Sequence, residues 1–240
     1  MTIVIVRRRS WSACLLMALG LLLLVACAPP ERASLPADEE PAGRVSADAQ
    51  KFLLIPGESW VRILVYRDGA LAALGHNHVI STTAISGQLA VGSTPARSAI
   101  SFEFPLSSLS VDLPELRDAE GDDFPGELDQ ASIDGTRANM LGEKVLAAAR
   151  FPAIQLRSHR IAGDYPDLSL LMDVTVREQT TRITVPATVT ANPTEIVAEG
   201  SLKLRQTELG LVPFSVAFGA LSVRDEMQLK FRLLARAVPD

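Results

Sequence analysis

Apolar and polar positions alternate through the second half of the chain. Between Arg182 and Ala191, the residues Ile183, Val185, Ala187, Val189 and Ala191 share one face, and Thr184, Pro186, Thr188 and Thr190 share the other. Further on, Ile196, Ala198, Leu202 and Leu204 oppose Glu199, Ser201, Lys203 and Arg205, and Met227, Leu229, Phe231 and Leu233 oppose Glu226, Gln228, Lys230 and Arg232. Residues 151–160 and 168–177 show the same period with minor lapses. A period of two with one apolar face predicts antiparallel strands that are buried on one side and wet on the other. Turn signals fall between them, in Ala162–Asp167, Arg177–Thr181, Ala191–Glu195 and Gly210–Pro213. Pro186 lies mid-run on the polar face, which predicts a sheet edge or a bulge there.

The first half is noisier. Gly57–Gly69 reads as a strand ending in an Asp-Gly turn, and His76–Val91 as one bent strand or two, broken near Gly87. Ser98–Leu106 and Ser107–Leu113 are shorter strands. One segment departs from the period: Leu128–Arg150 sets Ile133, Met140, Leu141, Val145, Leu146 and Ala149 at helical spacing, and Phe151-Pro152 stops it. Asp134 is a candidate cap for an internal start, and Gly142 divides the region into two short helices. Just before it, residues 112–129 carry eight acids and one arginine. Their spacing does not match a calcium loop, so the run is expected to be a solvated loop. About eight or more antiparallel strands with a helical excursion near residues 128–150 predict an all-β fold, as a closed barrel or a sandwich. Aliphatic inner faces with polar outer ones suit a small barrel holding one apolar ligand.

The N-terminus changes the accounting of charge and thiols. Arg7, Arg8 and Arg9 precede an apolar run, Ala13–Ala26, closed by Leu-Val-Ala-Cys at 24–27. This order predicts a secretory signal over residues 1–26, and the last four residues resemble a bacterial lipobox. By that resemblance Cys27 becomes the lipidated N-terminus, residues 27–50 form a flexible tether, and the protein is anchored in the periplasm at the outer membrane, where Ala28 rather than Asp after the cysteine directs it. Rich in Pro, Ala and charge, the tether cannot bury a core, and residues 51–240 make one sizeable domain. Loss of the three arginines takes the formal net charge from −5 to −8. An acidic domain with no basic stripe excludes nucleic acid as a partner. The two cysteines are Cys14 and Cys27, so the domain keeps no thiol for a disulfide, a nucleophile or a thiolate metal site.

Several stretches in order carry a family resemblance: Ile55–Gly69 followed by Leu74–Leu89, Thr136–Ser158, Asp173–Val189 and Gly200–Ala235. Together they are similar to the YceI-like family of bacterial periplasmic proteins. The resemblance implies an extended lipocalin-like antiparallel barrel that binds polyisoprenoids or related lipids, spanning nearly all of Lys51–Ala237. Gly75-His76-Asn77-His78 is typical of one branch of that family. The resemblance also implies that one or both histidines line the cavity.

Candidate chemistry centres on those histidines. At i and i+2 in a strand, His76 and His78 share a face. They are half of a metal or haem site, a polar station in a ligand cavity, or ordinary strand residues. Zinc usually takes four ligands, and the remaining histidine, His159, falls on a wet face by parity. Phe102 and Phe104 share a face as core or ligand contacts, and Met140, Leu141, Phe214 and Phe218 are candidates for closing one end of the barrel. No serine elbow, HExxH or phosphate loop is present, so the reading is a binding protein rather than an enzyme. It needs no cofactor, and its ligand is an isoprenoid or lipid-like molecule. A scaffold or stress protein without a small ligand is the bland alternative, and oligomeric state is left open, a dimer included.

Overall fold

The structure is a computed structural model that describes residues 45–239. The signal segment, Cys27 and most of the tether therefore lie outside the described residues. Among the described residues, fourteen strands make up the sheets: β1 (Gln50–Leu54), β2 (Trp60–Val65), β3 (Arg67–Asp68), β4 (His78–Thr82), β5 (Ser86–Val91), β6 (Ala99–Pro105), β7 (Ser110–Val111), β8 (Ala153–Asp164), β9 (Asp167–Val176), β10 (Gln179–Ala191), β11 (Glu195–Arg205), β12 (Ser215–Val216), β13 (Leu221–Val223) and β14 (Glu226–Ala237). Eight of them, in the order β1-β5-β6-β8-β9-β10-β11-β14, close into an antiparallel barrel through the β1–β14 pairing, Phe52 opposite Ala237. On β14, β2 continues where β1 leaves off; β4 pairs with β2 and β7 with β4. Residues 50–65, 78–91 and 99–111 are thus three bent walls of one tall barrel. The second wall breaks at Thr83–Ile85 rather than at Gly87, which sits inside β5 with no room for a Cβ against Phe102.

Alternation decides which residues face inward. Ile183, Val185 and Ala187 of β10, Ala198, Leu202 and Leu204 of β11 and Met227, Leu229, Phe231 and Leu233 of β14 all turn into the barrel, as their period predicts. The β10–β11 connection is an Asx turn: the Asn192 side-chain oxygen accepts from the Thr194 and Glu195 amides and from the Thr194 hydroxyl. Pro186 is not on an edge. The β9–β10 ladder passes through it unbroken, with Pro186 opposite Ser169, whereas the β10–β11 ladder covers only Thr188–Ala191 against Ile196–Glu199. β11 is fully laddered to β14 over Glu195–Arg205. A ladder-free seam therefore opens between β10 and β11, beginning beside a residue that has no N–H to donate.

Two helices cover the barrel between β7 and β8. α1 (Pro114–Glu120) forms inside the acidic run, which is therefore not simply a solvated loop, and starts on Pro114, a residue pre-set for the first helical position. α2 (Gln130–Leu141) is capped by Asp129, whose carboxylate accepts from the Ser132 amide at 2.9 Å; Asp134 is not the cap. Gly142 ends α2, but residues 143–150 form turns rather than a second helix. Arg137 fastens α2 to the barrel by donating to the carbonyls of Leu109 and Ser107.

One hydrophobic cluster occupies the interior face of the barrel, and a second lies outside it, where Leu64 and Val79 pack against Phe124 of the acidic segment, with Tyr66 and Leu116 at the edge. The small sheet β12-β13-β3 stands beyond the end of the barrel where β2 finishes and β14 begins. No helix among the described residues is long and apolar enough to cross a membrane.

Candidate functional site: an apolar barrel cavity

The barrel is solid at one end and hollow at the other. Toward the β1 end, Phe52, Leu54, Ile85, Ile161, Leu168, Val189, Ile196 and Ala235 are buried in the core cluster and none of them lines the cavity. Beyond them lies a cavity of about 190 Å³. Its wall is built from strand positions of one parity: Ile100, Phe102 and Phe104 of β6, Ile154 and Leu156 of β8, Leu170, Met172, Val174 and Val176 of β9, and the inward residues of β10, β11 and β14. Leu109, Met140, Val145 and Leu146 cover it from the α2 side, and Leu209 and Leu211 from the segment after β11. Two polar residues border it, Gln206 and Lys230, and both are engaged elsewhere. The Gln206 amide donates to the Arg224 carbonyl at 2.8 Å. Lys230, on outward parity between Leu229 and Phe231, gives its ammonium to Glu120 at 2.5 Å. The cavity offers no free charge, so it favours an uncharged hydrocarbon surface.

The sequence candidates divide on this geometry. Phe102, Phe104 and Met140 line the cavity. Leu141 and Phe214 pack against the barrel core without lining it. Phe218 does not close the barrel end at all, because its side chain is wholly exposed at the tip of the small sheet. The physical reason is local: Ala217, Phe218 and Gly219 are three successive left-handed residues, which turn the chain away from the barrel.

Neither histidine is among the residues lining the cavity, although His78 has the inward parity of Val65, its partner in the register. It begins β4 at the rim, and its ring turns to Asp112, with 2.6 Å between Nδ1 and Oδ2. His76, before the strand starts, is exposed, its ring 6.3 Å from that of His78 and edge-on to it. Asp112, 1% exposed, accepts in addition from the Val79 amide at 2.9 Å and from Arg117 at 2.7 Å. Burial by itself raises the Asp112 carboxyl, but the hydrogen bonds from His78 and the Val79 amide, with Arg117, outweigh it and hold the group below the usual carboxylate range. Arg117, equally buried, spreads its other donors over the carbonyls of Asn77, Pro125 and Gly126. The histidine motif is thus a clamp holding the acidic segment onto β4. Asp112 and Arg117 lack a periodic signature; the one cue in the sequence is a lone arginine among eight acids. Among the described residues no group of three or more His, Cys, Asp or Glu side chains is arranged to hold a metal ion.

Residues 68–235, most of the barrel, match the model of the YceI-like domain. The chain belongs to the YceI-like domain family. Two solved structures share this YceI-like fold. One is BcnA of Burkholderia cenocepacia, with a TM-score of 0.55 and 16% identity over 75% of this chain and 98% of that one. The other is a polyisoprenoid binding domain from Saccharophagus degradans implicated in plant cell wall breakdown, with a TM-score of 0.53 and 11% identity over 79% of this chain and 99% of that one. No curated protein matches the chain in sequence.

Proposed function

We propose that this YceI-like protein is a lipid-anchored periplasmic binding protein, without catalytic activity, that holds an isoprenoid or other lipid-like ligand in its barrel. The observation that carries the reading is the cavity wall, aliphatic and aromatic from every strand that contributes to it, with its two polar neighbours already engaged. Burial of hydrocarbon there yields roughly 25 cal/mol per Å². The shared fold of the polyisoprenoid binding domain from Saccharophagus degradans supports an isoprenoid, and the Leu-Val-Ala-Cys sequence at 24–27 supports the anchor on Cys27 and the outer membrane. At about 190 Å³ the cavity is smaller than the roughly 300–1,000 Å³ typical of small-molecule pockets. It therefore takes a short apolar segment, and a longer chain displaces the cover formed by Met140, Val145 and Leu146.

Solvent extraction of the protein purified from producing cells, followed by mass spectrometry, tests the reading. An apolar lipid is expected at near one equivalent from the parent chain. It should be lost from an Ala198→Phe chain, whose phenyl ring fills the cavity from β11 while leaving the outer wall untouched. Recovery of no lipid from the parent, together with no uptake of added isoprenoid, refutes it.

A further inference from the structure

Five exposed large hydrophobic side chains gather outside the cavity, on the lobe built around the small sheet. Two stretches without a single charged residue, Gly69–Gly75 and Leu209–Val223, fold together there. β13 pairs with β3 and with β12, and the Leu71 amide donates to the Ala220 carbonyl at 2.7 Å. Gly69 allows this approach, since a Cβ on it would meet the Ala220 oxygen at 2.5 Å. The lobe displays Leu71, Leu74, Val212, Val216 and Phe218 to solvent, with Leu74 73% exposed and Phe218 entirely so. A phenylalanine in the left-handed region, φ 56°, with its ring in water, has no packing reason within the fold.

We infer that this lobe inserts into the hydrocarbon edge of a neutral phospholipid bilayer. Three observations select a bilayer over a protein partner. The surface is a projecting tip rather than a groove, so a fluid layer covers it without needing a complementary shape. The first charge-free stretch follows Arg67-Asp68 and the second lies between Glu208 and Arg224-Asp225, so the borders of the lobe hold no cationic excess to draw it to anionic headgroups. The same uncharged segment also runs back from Phe218 through Phe214, which packs on the core, to Leu211 and Leu209, which are buried and line the cavity. Insertion thus sets the covered end of the cavity against the membrane, where an apolar ligand would enter or leave. The inference concerns the surface of the lobe and stands whether or not the cavity binds a ligand.

The mature chain from residue 27, left unacylated by Cys27→Ala and carrying Phe218→Trp, reports on insertion directly when measured against the same unacylated chain without that substitution. With vesicles of phosphatidylcholine the introduced indole should shift to the blue and be quenched by bromine near the top of the acyl chains. Adding phosphatidylglycerol should change neither result. A Leu74→Glu/Phe218→Glu chain should keep the parent's thermal midpoint, since both side chains are exposed, and bind the vesicles roughly tenfold more weakly or worse. An indole that stays in water, binding that requires the anionic lipid, or unchanged binding by the double glutamate chain overturns the inference. So does an indole that becomes buried with rising protein concentration in the absence of vesicles, since the occupant would then be a second copy.

Discussion

Asp112 shows how much one side chain can hold in place. Its two oxygens tie together the start of β4, the His78 ring and Arg117, and the arginine in turn carries the carbonyls of Asn77, Pro125 and Gly126. Removing one member of such a buried pair leaves the other uncompensated, so Arg117→Met should lower unfolding free energy in urea by roughly 3–5 kcal/mol. Because the folded Asp112 carboxyl lies below its ordinary value, the stability it contributes is fully present above about pH 4 and is lost as pH falls below that. An Asp112→Asn chain, whose new residue also tolerates the left-handed backbone found there (φ 55°), should unfold with a flatter dependence on acid as pH falls below about 4. An equal acid slope in the two chains would place the titration elsewhere. Pairing across separate segments leaves no periodic trace. His76 and His78 were conspicuous in the sequence for being rare, whereas the residues that determine what His78 does were hidden in an acidic run.

At the scale of elements, legibility follows the number of buried faces. β9, β10, β11 and β14 have one wet face, so their alternation is regular, and the inward residues it named on β10, β11 and β14 do turn inward except Ala191, which is exposed at the end of β10. β2 and β4 are covered twice, by the cavity on one side and on the other by Phe124 and Leu116 packed over Leu64 and Val79; that second cover erases the alternation and explains the noise in the first half of the sequence. The break in the β10–β11 ladder was foreshadowed by Pro186, although the strand is interior rather than an edge. Backbone amides that face the seam in residues 182–187 and 200–205 should exchange with deuterium faster than those of the continuous β9–β10 ladder, and Pro186→Thr, which supplies an N–H, should slow them. The strands still touch at Gly200, where a Cβ would meet the Pro186 oxygen at 2.4 Å and the Phe231 ring at 2.7 Å. Gly200→Ala should therefore cost about 1–3 kcal/mol in denaturant unfolding, and a neutral result would mean that the seam is wider than this contact implies.

For the whole molecule, the division into a packed end and a hollow end sets where stability and binding reside. Substitutions among Phe52, Leu54 and Ile85 should act on unfolding alone, whereas ligand occupancy acts through the hollow end. On the proposed reading, stripping lipid from the purified protein should lower its thermal midpoint, and re-addition at a hundredfold excess over Kd should restore about 2.7 kcal/mol. An identical midpoint before and after stripping would count against a bound ligand. The way the barrel closes carries a further consequence. β14 forms ladders with β11, β1 and β2, so the first wall has no partner on that side until the last strand exists. During synthesis the hairpins from β8 to β11 can assemble as they emerge, but the circuit must wait for residue 237, nearly two hundred positions after β1. The barrel therefore stays unclosed until translation of this domain is essentially complete, which on the proposed periplasmic reading favours passage through a narrow export channel before the fold locks.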